Sequence, residues 1–472
     1  MKRTKIVATL GPASTAIEVL EEMILAGVNV CRINFSHGSY ENVLTQINNV
    51  RALNTKLNTH VAILADLQGP KLRIGVVENN GVELIVGNEI IITTKECTGN
   101  AQRVYITYPQ FPKDVKAGEN ILIDDGKLLL RVIETNGIDE VKSVVVYGGT
   151  LSSKKGVNLP NTKVSLPCLT EKDLKDLDFA LEQDVEWIGL SFVRSYHDIA
   201  DLKQIIHTQK KLARVVAKIE KPEALLEIDK IIEISDAIMV ARGDLGVELP
   251  MEQVPLVQKM LVRKCLASST PIIIATQMME SMITNFAPTR AEVNDVANAV
   301  LDGADAVMLS GETSVGKYPV KVIEAMSRII VNVETDESIY YKEQSSVSKN
   351  LTFVTDSICY NACIMAKHAD VKAIVSMTNS GYTAFRIASQ RPQAQIFIFT
   401  DNHSLLTTLN LLWGVQGFYY DKYESTDRTI AETLEILKSN HFIATDDLVI
   451  NIMSMPMKER GRTNMLKLSQ VK

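Results

Sequence analysis

Eight apolar runs, each as long as a short strand and each ending in polar or glycine residues, recur through the first two thirds of the chain. They are KIVATLG (5–11), VNVCRINF (28–35), VAILADLQG (61–69), VEWIGLSF (185–192), RVVAKIE (214–220), DAIMVARGD (236–244), PIIIATQ (271–277) and DAVMLSGE (305–312). Helix-like segments such as AIEVLEEMILAG (16–27) and ALLEIDKIIEI (224–234) separate most of them. Continuous apolar strands alternating with helices predict a parallel sheet covered on both faces. Eight repeats fit a closed (β/α)8 barrel. An open doubly wound sheet is the alternative, but it calls for a switch point and a glycine-rich first turn. Gly11-Pro12-Ala13-Ser14, after the first run, is not G-x-G-x-x-G.

Two stretches break this rhythm. Between the third and fourth runs, VELIV (82–86), EIIITT (89–94), NILID (120–124), LLLRVIE (128–134) and VKSVVVYG (141–148) read as short β segments. Asn79-Asn80-Gly81, Asp124-Asp125-Gly126 and Asn136-Gly137 supply turn signals beside them. This predicts a small β domain inserted at the barrel mouth, placed to act as a lid that excludes water. After residue 350 an α/β rhythm restarts, with predicted strands at 372–378, 395–400, 415–420 and 447–453 and a helix at 356–369. The expected division is a barrel from 1–70 and 166–345, a lid from 71–165, and an open-sheet α/β domain from 346–472.

Composition narrows the class without naming a chemistry. A chain of 472 residues exceeds one ordinary core. Its 46% hydrophobic and 22% charged residues are those of a soluble globular protein. The net charge of −6 leaves no broad nucleic-acid footprint. No apolar run reaches the ~20 residues that span a bilayer, and Met1-Lys2-Arg3-Thr4 runs into Ile6-Val7-Ala8 without a signal-peptide pattern. The six cysteines (Cys31, Cys97, Cys168, Cys265, Cys359 and Cys363) are too sparse for a disulfide scaffold. Cys359 and Cys363, four apart in a predicted helix, read as buried small hydrophobes rather than a redox or metal pair. A reduced cytoplasm is expected.

Chemistry collects where the barrel strands end, the face on which barrels place active sites. Those ends carry Thr9, Arg32, Asn34, Ser36, His37, Asp66, Lys71, Arg73, Ser191, Arg194, Lys218, Glu220, Arg242, Asp244, Thr276, Gln277 and Glu312. The densest stretch is VVAKIEKPEALLEIDKIIEISDAIMVARGDLGVE (215–248), a strand, a helical run and a second strand. Glu220 and Asp244 present hard oxygens suited to Mg²⁺ shared with an anionic substrate, the alternative being a salt-bridge ring with Lys218 and Arg242. Lys218 reads as an electrophilic clamp or a neutralising partner of Glu220. Arg32 and Arg73 read as anion binders or as surface and interdomain bridges. His37 is open between a packed histidine and a nucleotide contact. Thr276 is open between donating a proton through water and satisfying a local backbone oxygen. Asp295, Asp302 and Asp305 look like helix-surface or cap residues. Phosphoryl transfer needs positioning and charge neutralisation more than covalent help, and this set supplies both.

Two further motifs need weighing. Gly311-Glu312-Thr313-Ser314-Val315-Gly316-Lys317 satisfies G-x-x-x-x-G-K, but Tyr318 stands where a P-loop has its magnesium-holding Ser or Thr. It is read as a turn shaped by glycines. Thr378-Asn379-Ser380-Gly381-Tyr382-Thr383, between a strand and a helix, is either an ordinary cap or a phosphate cradle.

At this point the chain closely resembles the pyruvate kinases, of bacterial type, over essentially its whole length. The resemblance rests on KIVATLGPAS, CRINFSHG (31–38), DLQGPKLR (66–73), LSFVRS (190–195), AKIEKPEA (217–224) and MVARGDLGVE (239–248). It continues through ATQMMESM (275–282), PTRAEVNDVANAVLDGADAVMLSGET (288–313) and SGYTAFRIASQRP (380–392). It implies a TIM barrel with an inserted small β-barrel lid and a C-terminal α/β domain, assembled as a homotetramer. The implied reaction, the last step of glycolysis, moves the phosphoryl group of phosphoenolpyruvate to ADP, giving pyruvate and ATP. By matching motif, Lys218 stabilises the transferring phosphoryl group, with Arg32 and Arg73 on its phosphate side. Glu220 and Asp244 ligate Mg²⁺ or Mn²⁺. Ala241, Arg242, Gly243, Asp244 and Ser191 surround the substrate, and Thr276 faces the enolate within a water relay. Asn34, His37, Arg73 and Lys172 lie on the nucleotide side.

Potassium-dependent members read DTKGPEIRT where this chain has Asp66-Leu67-Gln68-Gly69-Pro70-Lys71-Leu72-Arg73-Ile74. Leu67 replaces a threonine of the potassium site and Lys71 a nearby glutamate. Asn34, Ser36 and Asp66 of the ion cage remain. A tethered ammonium can supply the monovalent cation's charge, so the chain resembles the potassium-independent branch and K⁺ is not expected to be required. The resemblance also implies a phosphorylated effector at Thr378–Thr383, with Gly461-Arg462-Thr463-Asn464 similar to the start of a loop that closes over it. Competing readings are another magnesium-dependent barrel enzyme acting on phosphoenolpyruvate or a 2-oxo acid, and a catalytically silent metabolite sensor.

Overall fold

A computed structural model describes residues 2–36, 38–341, 351–422, 424–456 and 462–472. Eight parallel strands close a barrel: β1 (Lys5–Thr9), β2 (Val30–Asn34), β3 (Ala62–Asp66) and, after an insertion, β12 (Trp187–Leu190), β13 (Arg214–Ile219), β14 (Ala237–Ala241), β15 (Ile272–Ala275) and β16 (Ala306–Leu309). Each follows its neighbour around the ring, and β16 pairs back to β1. Alternation along the strands splits the core into two layers. Ile6, Ile63, Ile188, Val215 and Ile274 pack outward under the helices, while Val7, Leu64, Trp187, Val216 and Ile273 fill the interior. Both faces are buried, which is why these strands read as continuous apolar runs. Thr170 with Asp173 and Thr289 with Glu292 form capping boxes that start two of the outer helices, Glu171–Glu182 and Arg290–Asp302.

The insertion carries β4 (Gly81–Leu84), β5 (Glu89–Thr93), β6 (Arg103–Tyr105), β7 (Asn120–Ile123), β8 (Leu128–Thr135), β9 (Glu140–Tyr147), β10 (Gly149–Ser152) and β11 (Val157–Asn158). Six of them form a curled half-barrel in the order β11-β7-β8-β9-β5-β6, and β10 pairs β4 separately. The insertion has its own apolar core, built on Ile92, Val104, Phe111, Ile121 and Leu130. The turns fall on the expected residues: Asn79, Asn80, Asp124, Asp125, Gly126 and Gly137 all have positive φ. β6, β10, β11 and a one-turn helix, Phe111–Asp114, were not foreseen; each is too short to show a period.

The C-terminal sheet runs β19 (Val415–Tyr419), β18 (Gln395–Thr400), β17 (Ala373–Met377), β20 (Leu448–Met453) and β21 (Met465–Gln470). β21 is an antiparallel edge strand that the apolar pattern missed; none of MLKLSQ is buried. This domain closes the N-terminal end of the barrel. Leu411 and Phe385 join the barrel's interior cluster. Buried Arg391 pairs with Asp305 at 2.9 Å, donates to the carbonyl of Gly303 at 2.7 Å and stacks on Trp413. Asp305 also accepts from the amides of Ile272 and Trp413, so the expectation of a surface or cap residue is corrected: its carboxylate is a buried tie between two domains. Among the described residues no helix is long and apolar enough to cross a membrane.

Candidate active site

The strand ends at one barrel mouth converge on a buried ionic hub. Asp66 closes β3 and is 2% exposed. Arg32, on the neighbouring β2, donates to its Oδ2 from Nε at 2.8 Å and also from Nη2. Lys218, near the end of β13, sits 3.1 Å from Asp66 Oδ1 and 3.0 Å from Glu220 Oε1, and donates to Ser191 Oγ at 2.6 Å. The Ser191 hydroxyl in turn donates to the carbonyl of Leu67 at 2.7 Å. Glu220 Oε2 accepts from the amide of Phe192 at 2.7 Å. Gly189 is required here, since a Cβ on it would lie 2.9 Å from Asp66 Oδ1.

Burial and charge pull these groups in opposite directions. Burial alone would lower Lys218, but Asp66 and Glu220 outweigh it and raise its pKa, so the ammonium stays charged. Burial would raise Asp66, yet Lys218 and Arg32 hold its carboxyl below the usual range. Glu220 differs: burial pushes it up, Lys218 offsets only part of this, and the like charge of Asp244 adds to the rise. Glu220 and Asp244 therefore lie within electrostatic reach of each other. Among the described residues no group of three or more His, Cys, Asp or Glu side chains could hold a metal. A two-carboxylate set fits Mg²⁺, which keeps water and substrate oxygens in its shell.

Asp244 is not at a strand end as its apolar run suggested. β14 stops at Ala241, and Arg242–Glu248 is a short helix, so Arg242, Gly243 and Asp244 form its first turn. The Arg242 side chain turns away from the hub. It pairs with Asp295 at 2.7 Å, which corrects the reading of Asp295 as a helix-surface residue and removes Arg242 from any ring with Glu220. Thr276, just past β15, has φ 68°. Its Oγ1 accepts from the amide of Gly243 at 2.8 Å.

A cleft of about 510 Å³ between lid and barrel is lined by Asp244, Lys71, Lys221, Arg194, Asp125 and Asn158, among others. Lys71 is exposed there, and Leu67 is buried in the barrel core. Lys221 and the lid's Asn158 both donate to Glu248, which links the lid to the helix that carries Asp244. Arg73 donates from Nη1 to the lid carbonyl of Lys154 at 3.1 Å. Among the described residues its hydrogen bonds do not reach the Lys218 hub.

A second cleft, of about 1290 Å³, includes Asn34 and Thr9 with Pro12, Asn42, Gln46 and Ser314. Asn34 accepts from the amide of Ser36 at 3.0 Å, and Lys172 donates to the carbonyl of Phe35 at 2.7 Å. His37 lies outside the described residues. Pro12, Asn42 and Ser314 were not candidates; Pro12 and Ser314 lie inside quoted motifs, whereas Asn42 carries no signal in the sequence. The GETSVGK turn is structural. Glu312 is buried and accepts from the amides of Met279 and Ser310, and a Cβ on Gly316 would lie 2.2 Å from the carbonyl of Glu312.

In the C-terminal domain the Thr378–Thr383 loop is largely self-satisfied. Thr378 Oγ1 accepts from the amide of Gly381, Thr383 is buried against Ser376, and Tyr382 donates to Asp356. Arg214 donates to the carbonyl of Ser380 at 3.1 Å; it opens β13, whose far end bears Lys218. Gly461 lies outside the described residues. Arg462 donates to the carbonyl of Leu351, Thr463 accepts from Thr355, and Asn464 pairs with the backbone of Met455. Cys359 and Cys363 are free and buried, and burial raises both thiols, Cys359 to about 12.

Comparison with known proteins gives one answer over the whole chain. Residues 1–323 match a family model described as pyruvate kinase, barrel domain, and residues 356–469 one described as pyruvate kinase, alpha/beta domain. The pyruvate kinase of Geobacillus stearothermophilus is 40% identical over 99% of this chain and 80% of its own length. That of Bacillus licheniformis is 41% identical over the same shares. A solved pyruvate kinase structure from Cryptosporidium parvum superposes with a TM-score of 0.94 at 35% identity, covering 100% of this chain and 96% of the other.

Proposed function

We infer the division of labour at the barrel mouth from one premise: the chain belongs to the pyruvate kinase family, and it transfers the phosphoryl group of phosphoenolpyruvate to ADP, giving pyruvate and ATP in glycolysis. Lys218 is the cation that meets charge on the transferring phosphoryl group; its raised pKa and its seat between two carboxylates support this. Arg32, held by Asp66, takes the phosphate side, and Arg73 joins it from the lid hinge. The first-turn amides of Arg242, Gly243 and Asp244, beside Ala241 and Ser191, hold the substrate carboxylate. Thr276 serves the proton-transfer face. Asn34, His37 and Lys172 hold the nucleotide, an arrangement supported by the large cleft at Asn34.

Glu220 and Asp244 would hold Mg²⁺ or Mn²⁺ together with substrate. The carrying observation is the like charge of Asp244 near Glu220: it helps to raise the Glu220 carboxyl, and among the described residues the Asp244 side chain has no protein hydrogen-bond partner. A divalent ion bound there supplies neutralising charge to the substrate oxygens.

K⁺ is not needed. Asp66 already has Arg32 and Lys218, Leu67 offers no side-chain oxygen, and Lys71 brings a tethered ammonium to the cleft. A coupled assay of phosphoenolpyruvate-dependent ATP formation with Mg²⁺ in tetramethylammonium chloride tests both function and cation. Turnover is expected at full rate before KCl is added and to stay flat as KCl replaces tetramethylammonium at constant ionic strength. Lys71→Glu should lose activity that KCl restores. A large potassium activation of the unmodified enzyme would sink this reading.

A phosphate-bearing effector binds at Thr378, Asn379, Ser380, Gly381, Tyr382 and Thr383. The loop's contact with Arg214 at the foot of β13 supports an influence on Lys218. Titration with AMP, ribose 5-phosphate and fructose 1,6-bisphosphate at low phosphoenolpyruvate tests it; no response to any of them rules it out. The chain works as a cytoplasmic homotetramer of three domains (1–70 with 166–345, 71–165, 346–472). Exposed Met251, Leu256 and Phe286 and the open edge of β21 support the assembly, which sedimentation equilibrium would test.

A further inference from the structure

We propose that Asp295 is a positioning residue for proton transfer: through Arg242 it holds Thr276 in the backbone conformation that sets the Thr276 hydroxyl against the amide of Gly243. The proposal rests on the assignment of Thr276 to the proton-transfer face.

Thr276 and Gln277, at φ 68° and 55°, are consecutive non-glycine residues in the left-handed region. For a β-branched threonine this conformation is rare and persists only where the surroundings enforce it. Arg242 enforces it. Its Nη2 donates to the carbonyl of Thr276 at 2.7 Å and its Nε to that of Ala275 at 3.2 Å, so one guanidinium grips two successive carbonyls at the turn. Such a grip works only if the guanidinium plane is fixed. Asp295 fixes it with two parallel contacts of 2.7 Å, Nη1 to Oδ1 and Nη2 to Oδ2. Gln258 Oε1 at 3.4 Å and Met278 Sδ at 2.8 Å complete the surroundings of the fork. Gly243 lies in the helix turn that also carries Asp244, so the 2.8 Å bond from its amide to Thr276 Oγ1 fixes the threonine relative to the carboxylates. Asp295 itself sits on the helix Arg290–Asp302 and, among the described residues, makes no hydrogen bond or ion pair with Lys218, Glu220 or Asp66.

The test separates proton transfer from overall folding. Deuterium uptake into the pyruvate methyl group in D₂O, with enzyme, Mg²⁺ and ATP, is followed by NMR for wild type, Asp295→Asn, Arg242→Lys, Thr276→Val and the Asp295→Asn/Thr276→Val double variant. Asp302→Asn, on the same helix as Asp295, is the control; it breaks a pair with Lys259 of the helix Val254–Ser268. Asp295→Asn should slow exchange on the order of 10²-fold, the usual effect of a displacement of about 1 Å, with the KM for phosphoenolpyruvate little changed. Arg242→Lys, which keeps the charge but loses the fork, should show the same selective loss. The double variant should exchange no more slowly than the worse single one. If Thr276→Val slows exchange but Asp295→Asn and Arg242→Lys do not, or if the losses add, the positioning role is wrong and the Thr276 assignment stands. If Thr276→Val exchanges at the wild-type rate, the assignment falls and the proposal with it.

Discussion

Lys218→Met should lower the turnover of phosphoenolpyruvate on the order of 10³-fold, the scale seen when one preorganised charge-stabilising group is removed from an active site. Asp66 would keep Arg32 as a partner and stay ionised. Glu220 would lose the ammonium 3.0 Å away, and its already raised carboxyl would rise further. Two effects are therefore superposed: a missing positive charge at the phosphoryl group and a weakened metal ligand. The Mn²⁺ dependence of Lys218→Met separates them. If Lys218 only neutralises Glu220, saturating Mn²⁺ restores turnover. If Lys218 acts on the substrate, turnover stays low with the metal site filled. Steady-state kcat and KM, beside phosphoenolpyruvate binding followed by intrinsic fluorescence, give the comparison.

The second large effect is on stability, at the opposite end of the barrel. Arg391→Ala should destabilise the protein by about 3–5 kcal/mol, because it leaves the buried carboxylate of Asp305 without its cation. It also removes the stack on Trp413 and the bond to the carbonyl of Gly303. The amides of Ile272 and Trp413 still reach Asp305 and keep the cost from being higher. A paired change, Arg391→Met with Asp305→Asn, should cost less than Arg391→Ala alone, since neither member is then left as an unpaired buried charge. Urea unfolding followed by tryptophan fluorescence suits this test, as Trp413 lies in the interface. A loss below about 1 kcal/mol, the worth of an exposed pair, would mean that water reaches Asp305 and that the two domains are not tied there.

The barrel was legible because burial on both faces forces every strand to be apolar throughout, and the eight runs match the eight strands to within a few residues. What ends a strand was less legible. The run through Arg242-Gly243-Asp244 reads as strand, yet the chain turns into a helix at Arg242, where Arg242 and Gly243 bond to Ala275 and Thr276 of a segment distant in sequence. Short strands such as β11 and the half-exposed β21 carry too little pattern to detect. At the site, Lys218, Glu220 and Asp66 were visible because a charge at the end of an apolar strand has no core reason to be there. Asp295 and Asp305 were misread for the opposite reason: each lies on or beside an ordinary helix, and its cation comes from a distant segment, Arg242 or Arg391. Spacing along a chain records neighbours within an element; it does not record which elements the fold brings together.

The shared-metal site formed by Glu220 and Asp244 is tested most directly by Mn²⁺ binding followed by electron paramagnetic resonance, with and without phosphoenolpyruvate. Two carboxylates alone should bind the ion weakly, and phosphoenolpyruvate should tighten it on the order of tenfold or more by completing the oxygen shell; Asp244→Ala should abolish that tightening. Equal Mn²⁺ affinity with and without phosphoenolpyruvate, or unchanged tightening in Asp244→Ala, would contradict the assignment.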